Sequence, residues 1–260
     1  MKKVWKDFRK YLPYAVRSAK AELKSEVTGS KLGWLWWIVE PLGYMLIYTF
    51  VFSIVFPNEE NYFPAFIMVG VACWEFFNRM IMGSIKLIVN NRDLISKAYI
   101  PKYILLLAKA FTYLFKMLIS LGLTLILAII LGVSFSPWIL LTPVIVLILF
   151  IVTFGLSMIL MHFGVYVEDL KNATKIILRL VFYLSGVFYN INTRLDGITK
   201  FFLLRCNPVA FSMSEMRKVM LYGMMPSFEG LMVWLVIGVV LCVIGFRLIV
   251  KYENSYAKVV

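Results

Sequence analysis

The chain has 260 residues, of which 62% are hydrophobic and 16% are charged, and its mean hydropathy is +0.85. Soluble domains usually contain about 45 to 50% apolar and about 25% charged residues, so this composition excludes an ordinary soluble protein and indicates a membrane protein without a large cytosolic catalytic domain. The 27 Lys and Arg residues exceed the 14 Asp and Glu residues by 13, and at this hydropathy such an excess indicates contact with anionic lipid rather than nucleic acid.

Residues 1–33 are predicted to form an amphipathic helix that lies at the membrane surface. Apolar residues recur at three- and four-residue steps, as at Val16, Ala19 and Leu23, while Lys and Arg fill the other face. We expect a break near Pro13. Charged residues interrupt the segment too often for it to be the apolar region of a secretory signal.

Six apolar runs follow, and each is predicted to be a membrane-spanning helix. They cover residues 34–56, 63–89, 103–132, 138–167, 172–190 and 229–250. The fifth run is the weakest, because Lys175 and Arg179 lie one helical turn apart in its first half. This run can therefore begin below the lipid core.

The distribution of Lys and Arg sets the expected orientation. The turns 57–62 and 132–137 contain neither residue, whereas the N-terminal segment and the loop 86–102 are basic. Cytoplasmic loops are enriched in Lys and Arg, so both termini are predicted to lie in the cytoplasm. The loop 191–228 is basic on the predicted outer side.

Within this outer loop the sequence predicts a short, half-buried helix. Asn207 is a suitable N-cap, Pro208 fits the first helical position, and Gly223 follows the end of the helix. Four apolar side chains share one face: Val209, Met213, Met216 and Met220. Residues 191–205 are predicted to form a second such helix.

The sequence offers little for an enzyme. A phosphate-binding loop requires Gly followed by Lys, and no Gly in this sequence is followed by Lys. The single histidine, His162, is interpreted either as a helix-packing residue or as a catalytic residue of an intramembrane acyltransferase. Three cysteines without CxxC spacing predict neither disulfides nor a zinc site. We therefore predict no catalytic residue, metal site or cofactor in this chain.

Several short motifs occur together in a fixed order. The first span is introduced by Ser30, Leu32, Gly33, Leu35, Trp36 and Pro41. Further along are Gly70 with Trp74, residues 91–97 followed by Pro101, residues 166–170, and Asn207–Pro208 with Arg217. This series resembles the permease subunits of ABC-2 type exporters of cell-surface polysaccharide, which move teichoic acids, O-antigens and capsules. The sequence departs from the usual pattern at 167–169 and 185–187.

The resemblance implies an all-α integral membrane fold. It comprises an amphipathic interfacial helix over 1–33 and a transmembrane domain over 34–260, with six transmembrane helices. A coupling helix is expected at about 90–102. The outer gate loop, at about 191–228, is expected to hold re-entrant outer helices before the last span.

The resemblance also implies a function and partners. The chain is expected to pair with a second copy of itself and with two copies of a separate ATPase, which bind ATP and Mg²⁺, in a bacterial cytoplasmic membrane. The cargo is expected to be a lipid-linked polysaccharide. An ABC-2 permease for a small molecule or drug is the alternative, and a transferase that uses His162 is a further one.

Two segments are candidates for contact with the ATPase. The loop 90–102 is short, polar and helix-compatible up to Pro101, so it is either a plain solvated connection or a rigid coupling helix. Its candidate residues are Asn91, Arg92, Asp93, Leu94 and Lys97. Glu168 and Asp169 start the fifth helix, where they are either caps at its positive dipole end or a second ATPase contact.

Aromatic side chains are candidates for the wall of a glycan channel, since sugar C–H faces pack on aromatic rings. One helical face of the first span carries Trp37, Tyr44, Tyr48 and Phe52, and the fifth run contributes Phe182, Tyr183 and Tyr189 as a possible opposite wall. Packing between helices and anchoring at the lipid interface are the alternative interpretations. This aromatic stripe is also the feature expected to distinguish a glycan from a drug as cargo.

Cations supply the remaining candidates. A charge near mid-bilayer costs about 2.5 to 3.5 kcal/mol, so Lys116 is expected to face a polar cavity or to pair with an acid. Arg17, Lys20, Lys24 and Lys31 either attract anionic lipid or guide the substrate pyrophosphate at the entrance. Asn207, Pro208 and Arg217 are assigned to the outer gate, whose cations bind outer phosphates or simply solubilise the loop.

Overall fold

The structure is a computed structural model that describes residues 2–29, 31–55, 60–97, 99–194 and 197–259. Over these residues the regular secondary structure is entirely helical. Two 3₁₀ turns, Gly33–Leu35 and Pro137–Leu141, precede α2 and α7. The α-helices are α1 (Lys2–Thr28), α2 (Trp36–Val55), α3 (Phe63–Ile85), α4 (Leu87–Asn90), α5 (Arg92–Lys97), α6 (Lys102–Ile130), α7 (Thr142–Tyr166), α8 (Leu170–Leu184), α9 (Ile191–Arg194), α10 (Gly197–Cys206), α11 (Pro208–Met220) and α12 (Phe228–Val259).

Within the described residues, five helical segments are long and apolar enough to cross a membrane, so the chain is a multi-pass membrane protein. They are Gly33–Ser53, Phe63–Ile85, Lys102–Ile130, Pro137–Tyr166 and Phe228–Glu253. The predicted runs agree with these bounds to within a few residues, except at the fifth run. There the structure has α8, a helix of only 15 residues. The prediction of six spans is therefore supported for five of them.

The fifth run ends earlier than predicted because of a glycine. Gly186 has φ +69°, in the left-handed region that favours glycine, and α8 ends before it at Leu184. The residues up to 190 are consequently not part of this helix.

The N-terminal amphipathic helix is present, but the predicted break near Pro13 is wrong. The structure has one continuous helix, α1, with Pro13 inside it. Ala15 and Ala19 are buried and α1 packs along α6. Contacts with α6 thus hold the helix together around a residue that cannot donate a backbone hydrogen bond.

The core is centred on α3, which packs against α2, α6, α7 and α8. The most extensive helix contact is that of α7 with α12, where glycines replace larger side chains. A Cβ added at Gly155 would lie 2.7 Å from the backbone nitrogen of Cys242, and one added at Gly245 would lie 2.6 Å from Met158 Cβ. Such backbone approach at small residues is typical of helices packed within membranes.

Side-chain contacts define the two ends of the bundle. At the first, here named the Lys102 end, Lys102 Nζ lies 3.5 Å from Glu253 Oε1, and Lys86 Nζ donates to the Gly164 carbonyl at 3.1 Å. At the second, named the Gly223 end, a Cβ added at Gly223 would lie 3.3 Å from Ser136. The start of α6 and the last turns of α3, α7 and α12 lie at the Lys102 end.

Candidate functional site

The Lys102 end carries both segments predicted to contact the ATPase. Residues 92–97 form the short helix α5, on which Arg92, Asp93, Leu94 and Lys97 are exposed. Asn91 precedes it and donates a hydrogen bond from Nδ2 to the Leu87 carbonyl at 2.8 Å. The predicted helical character of 90–102 is confirmed over 92–97, and its outward-facing side chains are available to a partner.

The acidic pair lies near the base of this loop. Glu168 and Asp169 are exposed, and Asp169 occupies the N-cap position of α8 without a capping hydrogen bond from its side chain. Lys86 Nζ reaches the carbonyls of Gly164 and Val167, at 3.1 and 3.4 Å. Lys86 therefore ties the end of α3 to the turn that holds Glu168.

Ion pairs fasten α1 to α6. Lys109 pairs with Glu22, and Thr112 Oγ1 donates to the same carboxylate at 3.3 Å. One turn of α1 further on, Lys116 Nζ lies 2.7 Å from Glu26. Trp37 also donates to Glu26, at 3.4 Å. Of the two roles expected for Lys116, pairing with an acid is present.

A second charged group lies between α2 and α3. Arg79 donates to Glu40 at 2.5 Å and to Glu75 at 2.8 Å. A small cavity of about 40 Å³ lies beside this group, and Lys116, Trp37 and Tyr44 are among its lining residues. Lys116 therefore lines a small cavity whose wall is mainly apolar, and its role in a polar cavity stays a prediction.

The predicted entrance cations all lie on the open side of the N-terminal segment. Arg17, Lys20, Lys24 and Lys31 are exposed, in contrast to Glu22, which faces α6. Their positive charge is thus available to an anion outside the subunit.

The two predicted aromatic walls meet in one cluster. The Tyr44 and Tyr48 rings are stacked with centroids 6.1 Å apart, and the Tyr48 ring lies 6.4 Å from Phe182. Phe188, which the sequence analysis did not select, stacks on Phe52 at 4.2 Å. In a single subunit these rings contact one another, and their place in a channel stays a prediction.

The remaining predicted aromatic residues lie around this cluster. Trp37 makes an edge contact with Phe115, with ring centroids 5.5 Å apart. Tyr183 is exposed and makes an edge contact with Phe182, at 5.4 Å between centroids. Tyr189 donates from its hydroxyl to the Tyr183 carbonyl at 3.2 Å, which closes the turn after α8.

The predicted outer helices are present at the Gly223 end. Asn207 caps α11, since its side-chain oxygen accepts from the backbone of Val209 and Ala210 at 3.0 and 3.2 Å, and Pro208 occupies the first helical position. The four residues Val209, Met213, Met216 and Met220 are buried, but the prediction of a half-buried helix is wrong, because most of the other side chains of α11, such as Glu215, are buried as well. Of the second predicted helix, residues 195 and 196 lie outside the described residues, and α9 and α10 flank them.

Arg217 is buried in the centre of this end. Its guanidinium donates to the carbonyls of Phe66, Gly186 and Val187 at distances between 2.7 and 3.2 Å. The guanidinium carbon lies 3.3 Å from the centroid of the Phe66 ring. A Cβ at Gly70 would lie 2.7 Å from the Arg217 guanidinium, so glycine makes room for it. Arg217 thereby joins α3, α11 and the turn after α8.

A polar cleft of about 430 Å³ opens beside Arg217. Its lining includes Glu60, Asn192, Ser214, Lys218 and Tyr222. The Tyr222 hydroxyl donates to Glu60 at 2.7 Å. Burial and the neighbouring Glu60 raise the pKa of the Tyr222 phenol, so Tyr222 stays a neutral donor. The cleft therefore offers hydrogen-bonding groups of both kinds.

His162 has a packing environment. Its Nδ1 lies 2.8 Å from the Tyr256 hydroxyl, and the imidazole is surrounded by the rings of Phe163, Tyr166 and Tyr252. The helix-packing interpretation accounts for these contacts.

Sequence reasoning missed the acidic partners Glu22, Glu26, Glu40 and Glu75. A signal was present, since Glu22 and Glu26 are acids spaced one turn apart in a strongly basic helix, and two lysines lie two turns apart on α6. Glu60 and Tyr222 had no such signal, because their residues lie in separate loops.

Comparison with known proteins identifies the family. The family model for the ABC-2 type transporter matches residues 17–221. An O-antigen export system permease protein, RfbA, of Myxococcus xanthus is 30% identical over 240 residues, which cover 91% of each chain. A protein of the same name from Klebsiella pneumoniae is 24% identical over 92% of this chain and 91% of its own. The resemblance inferred from the motifs is confirmed, and the chain belongs to the ABC-2 type transporter family.

Proposed function

We propose that this chain is the membrane permease subunit of an ATP-binding cassette exporter that moves a lipid-linked polysaccharide of the O-antigen, teichoic acid or capsule type across the bacterial cytoplasmic membrane. The observation that carries the proposal is the match over nine-tenths of both chains to relatives named as O-antigen export permeases. ATP and Mg²⁺ bind a separate ATPase, and the working assembly holds two copies of each subunit.

The arrangement of the Lys102 end supports contact with such an ATPase. Helix α5 presents exposed charged side chains, and Glu168 and Asp169 stand exposed at the start of α8. Lys86 links the bases of the two segments. A push on α5 is therefore transmitted to α3 and to the turn before α8. Glu168 and Asp169 form the second ATPase contact.

The sixth crossing is part of the proposal. Tyr166 belongs to the Lys102 end, where it packs near His162, whereas Gly186 and Val187 accept hydrogen bonds from Arg217 at the other end. Residues 167–185 must therefore pass from one end of the bundle to the other. Helix α8 is about 22 Å long, and with its flanking turns it makes this crossing.

The path of the cargo follows from these elements. The exposed cations of α1 attract the phosphate of a lipid-linked substrate at the inner surface. Tyr44, Tyr48 and Phe182, once two subunits meet, offer aromatic faces and hydroxyls to a sugar chain. Helices α9 to α11 form the outer gate, with Arg217 as their anchor and the polar cleft beside it.

The coupling role is tested in a strain that depends on this gene for surface polysaccharide. In the test variant Arg92, Leu94 and Lys97 are all replaced by Ala. We expect normal membrane insertion and loss of surface polysaccharide, because these exposed side chains contact the ATPase and not the core. Immunoblotting of surface polysaccharide measures export, and ATPase co-purified with the tagged permease measures assembly.

The matched control replaces two exposed side chains at the opposite end, Leu140 and Met225, by Ala. It should export normally and retain the ATPase. Full export by the α5 variant would contradict the coupling assignment. Unchanged surface polysaccharide in a strain without the gene would contradict the proposed cargo.

A further inference from the structure

Helix α8 packs through one narrow side. Its buried residues are Thr174 and Leu178, and it contacts α3 and α7. A second side is apolar and exposed, with Ile176, Ile177, Leu180 and Leu184. At about 100° per residue, this side lies apart from the packed one. A helix that crosses the bilayer can offer such a side to lipid or to the second subunit.

A third side of α8 carries only cations. Lys171, Lys175 and Arg179 follow one another at four-residue steps between the packed and the apolar sides, and all three are exposed. No acidic residue occurs in α8. Side chains four residues apart on a helix are neighbours, so the three charges form a continuous row.

Three cations elsewhere in the bundle have acidic partners. Arg79 pairs with Glu40 and Glu75, while Lys109 and Lys116 pair with Glu22 and Glu26. The buried Arg217 is held by backbone carbonyls instead. In the part of the chain that the structure describes, the row on α8 has no such carboxylate, and its three side chains are exposed.

The row extends too far along α8 for all three cations to act only at the membrane surface. Leu170 starts α8 at the Lys102 end, and Arg179 is nine residues further along, which places it about 13 Å towards the Gly223 end. Tyr183 follows on the next turn and is exposed. A charge at that depth is strongly disfavoured in hydrocarbon, so it faces water or an anion.

We propose that Lys171, Lys175 and Arg179 form a binding track for phosphate groups along the wall of the transport path, and that the phosphate or pyrophosphate of the lipid-linked substrate occupies it. This inference rests on the proposed function. Lys supplies a point charge and Arg a bidentate donor, both suited to phosphate oxygens. Several adjacent sites allow an anion to bind and still move on, as conduction requires.

The first test measures whether the row faces an aqueous path. Single cysteines replace Lys175, Arg179 or, as the matched control on the apolar side, Ile177, in full-length permease co-expressed with its ATPase. The exposed native Cys206 is replaced by Ser. We expect the anionic, membrane-impermeant sulfonatoethyl thiosulfonate to label Lys175→Cys and Arg179→Cys but not Ile177→Cys. Absence of labelling at both row positions overturns the track.

The second test identifies the source of the phosphate. Inorganic pyrophosphate should slow the labelling of Lys175→Cys, in which Lys171 and Arg179 remain, severalfold in phosphatidylcholine vesicles. Protection that appears only when phosphatidylglycerol is added assigns the row to lipid headgroups and overturns the substrate track. Labelling without any protection overturns it as well.

Measurement of polysaccharide export distinguishes a failure of this inference from a failure of the proposed function. Arg179→Gln should lower surface polysaccharide roughly tenfold, the cost of one charged hydrogen bond, and Arg179→Lys should restore most of it. If deletion of the gene leaves surface polysaccharide unchanged but labelling and protection persist, the proposed cargo fails and the phosphate track stands. If the gene is required for export but Arg179→Gln exports normally, the track fails alone.

Discussion

Arg217 illustrates how one side chain stabilises the Gly223 end of the bundle. Its donors satisfy carbonyls on α3 and on the turn after α8, and it is buried. The Gly186 and Val187 carbonyls, which lie in the turn after α8, would otherwise lose this donor, at a cost of about 1 to 3 kcal/mol each. The residue thus acts as a structural joint between three elements rather than as a free charge.

Replacement of Arg217 by Met is expected to destabilise the protein by about 2 to 6 kcal/mol, because the Gly186 and Val187 carbonyls lose their side-chain donor at once. Arg217→Lys should lie between Met and the native residue, since Lys keeps the charge but not the planar donor geometry. The thermal unfolding midpoint of the detergent-purified protein measures the effect.

The control for this prediction is Arg205→Met. Arg205 also lies in the outer gate loop, but its pair with Glu229 is exposed, so its loss should cost no more than about 1 kcal/mol. Equal unfolding midpoints for the two Met variants would show that the carbonyl contacts of Arg217 contribute little.

The candidate site was only partly predictable at the scale of residues. The cap at Asn207 and the buried face of α11 depend on local spacing, and the sequence predicts both. The partners of Arg217 are backbone carbonyls up to 151 residues away, and no side-chain pattern encodes them. The pairing of Glu22 with Lys109 likewise spans 87 residues, so the charges were visible but their contact was not.

Among the helices, the most extensive contact joins α7 to α12 and depends on glycine. Gly155 and Gly245 face each other across this contact, where a Cβ on Gly245 would lie 3.1 Å from the Gly155 carbonyl oxygen. Larger side chains would separate the two backbones and open the packing along both helices.

Gly155→Ala should therefore lower the free energy of unfolding by about 1 to 3 kcal/mol, the usual cost of overpacking. Gly122→Ala on α6 is the matched control, because no atom lies within 4 Å of its added Cβ. The control should be neutral, or more stable by up to about 1 kcal/mol owing to the higher helix propensity of Ala. Thermal midpoints of the two variants compare them directly, and a smaller loss for Gly155→Ala than for Gly122→Ala would refute the packing argument.

Helix α8 shows where prediction of elements from the sequence reached its limit. Long apolar runs predict α2, α3, α6, α7 and α12 closely, because one physical requirement, burial of about 20 apolar residues, sets their length. Helix α8 is short and basic, so its course depends on tertiary contacts at its two ends, and its early end depends on the left-handed Gly186. Hydropathy does not record either of these features.

At the scale of the whole molecule, the net charge of +13 divides into distinct regions. The exposed cations are Arg17, Lys20 and Lys24 on α1, Arg92 and Lys97 on α5, and the row on α8, which has no acidic partner among the described residues. In contrast, the lysines of α6 that face α1 are neutralised by glutamates. Exposed positive charge thus lies at three parts of the proposed transport path: its inner entrance at α1, the proposed ATPase contact at α5, and the wall formed by α8.

The number of crossings decides the orientation of the chain, and the contacts make a definite prediction. Glu253 near the C-terminus pairs with Lys102, and α1 joins α6 through Lys109, so both termini are drawn to the same end of the bundle. Six crossings put both termini on the same side of the membrane, which the basic N-terminal segment predicts to be the cytoplasm, whereas five would put them on opposite sides. Fluorescent-protein fusions, which fluoresce only in the cytoplasm, should therefore be bright at either terminus.

A matched pair of cysteines tests the same topology without a fusion. In a Cys206→Ser background, Met225→Cys at the Gly223 end should react in intact spheroplasts with an impermeant maleimide, and Lys97→Cys on α5 should react only after the membrane is opened. Both positions are exposed, so access and not burial decides the result. Helix α8 is the element proposed to return the chain to the outer side between Tyr166 and Phe228. A dark C-terminal fusion, together with protection of Met225→Cys in intact spheroplasts, would therefore mean that α8 does not cross the membrane.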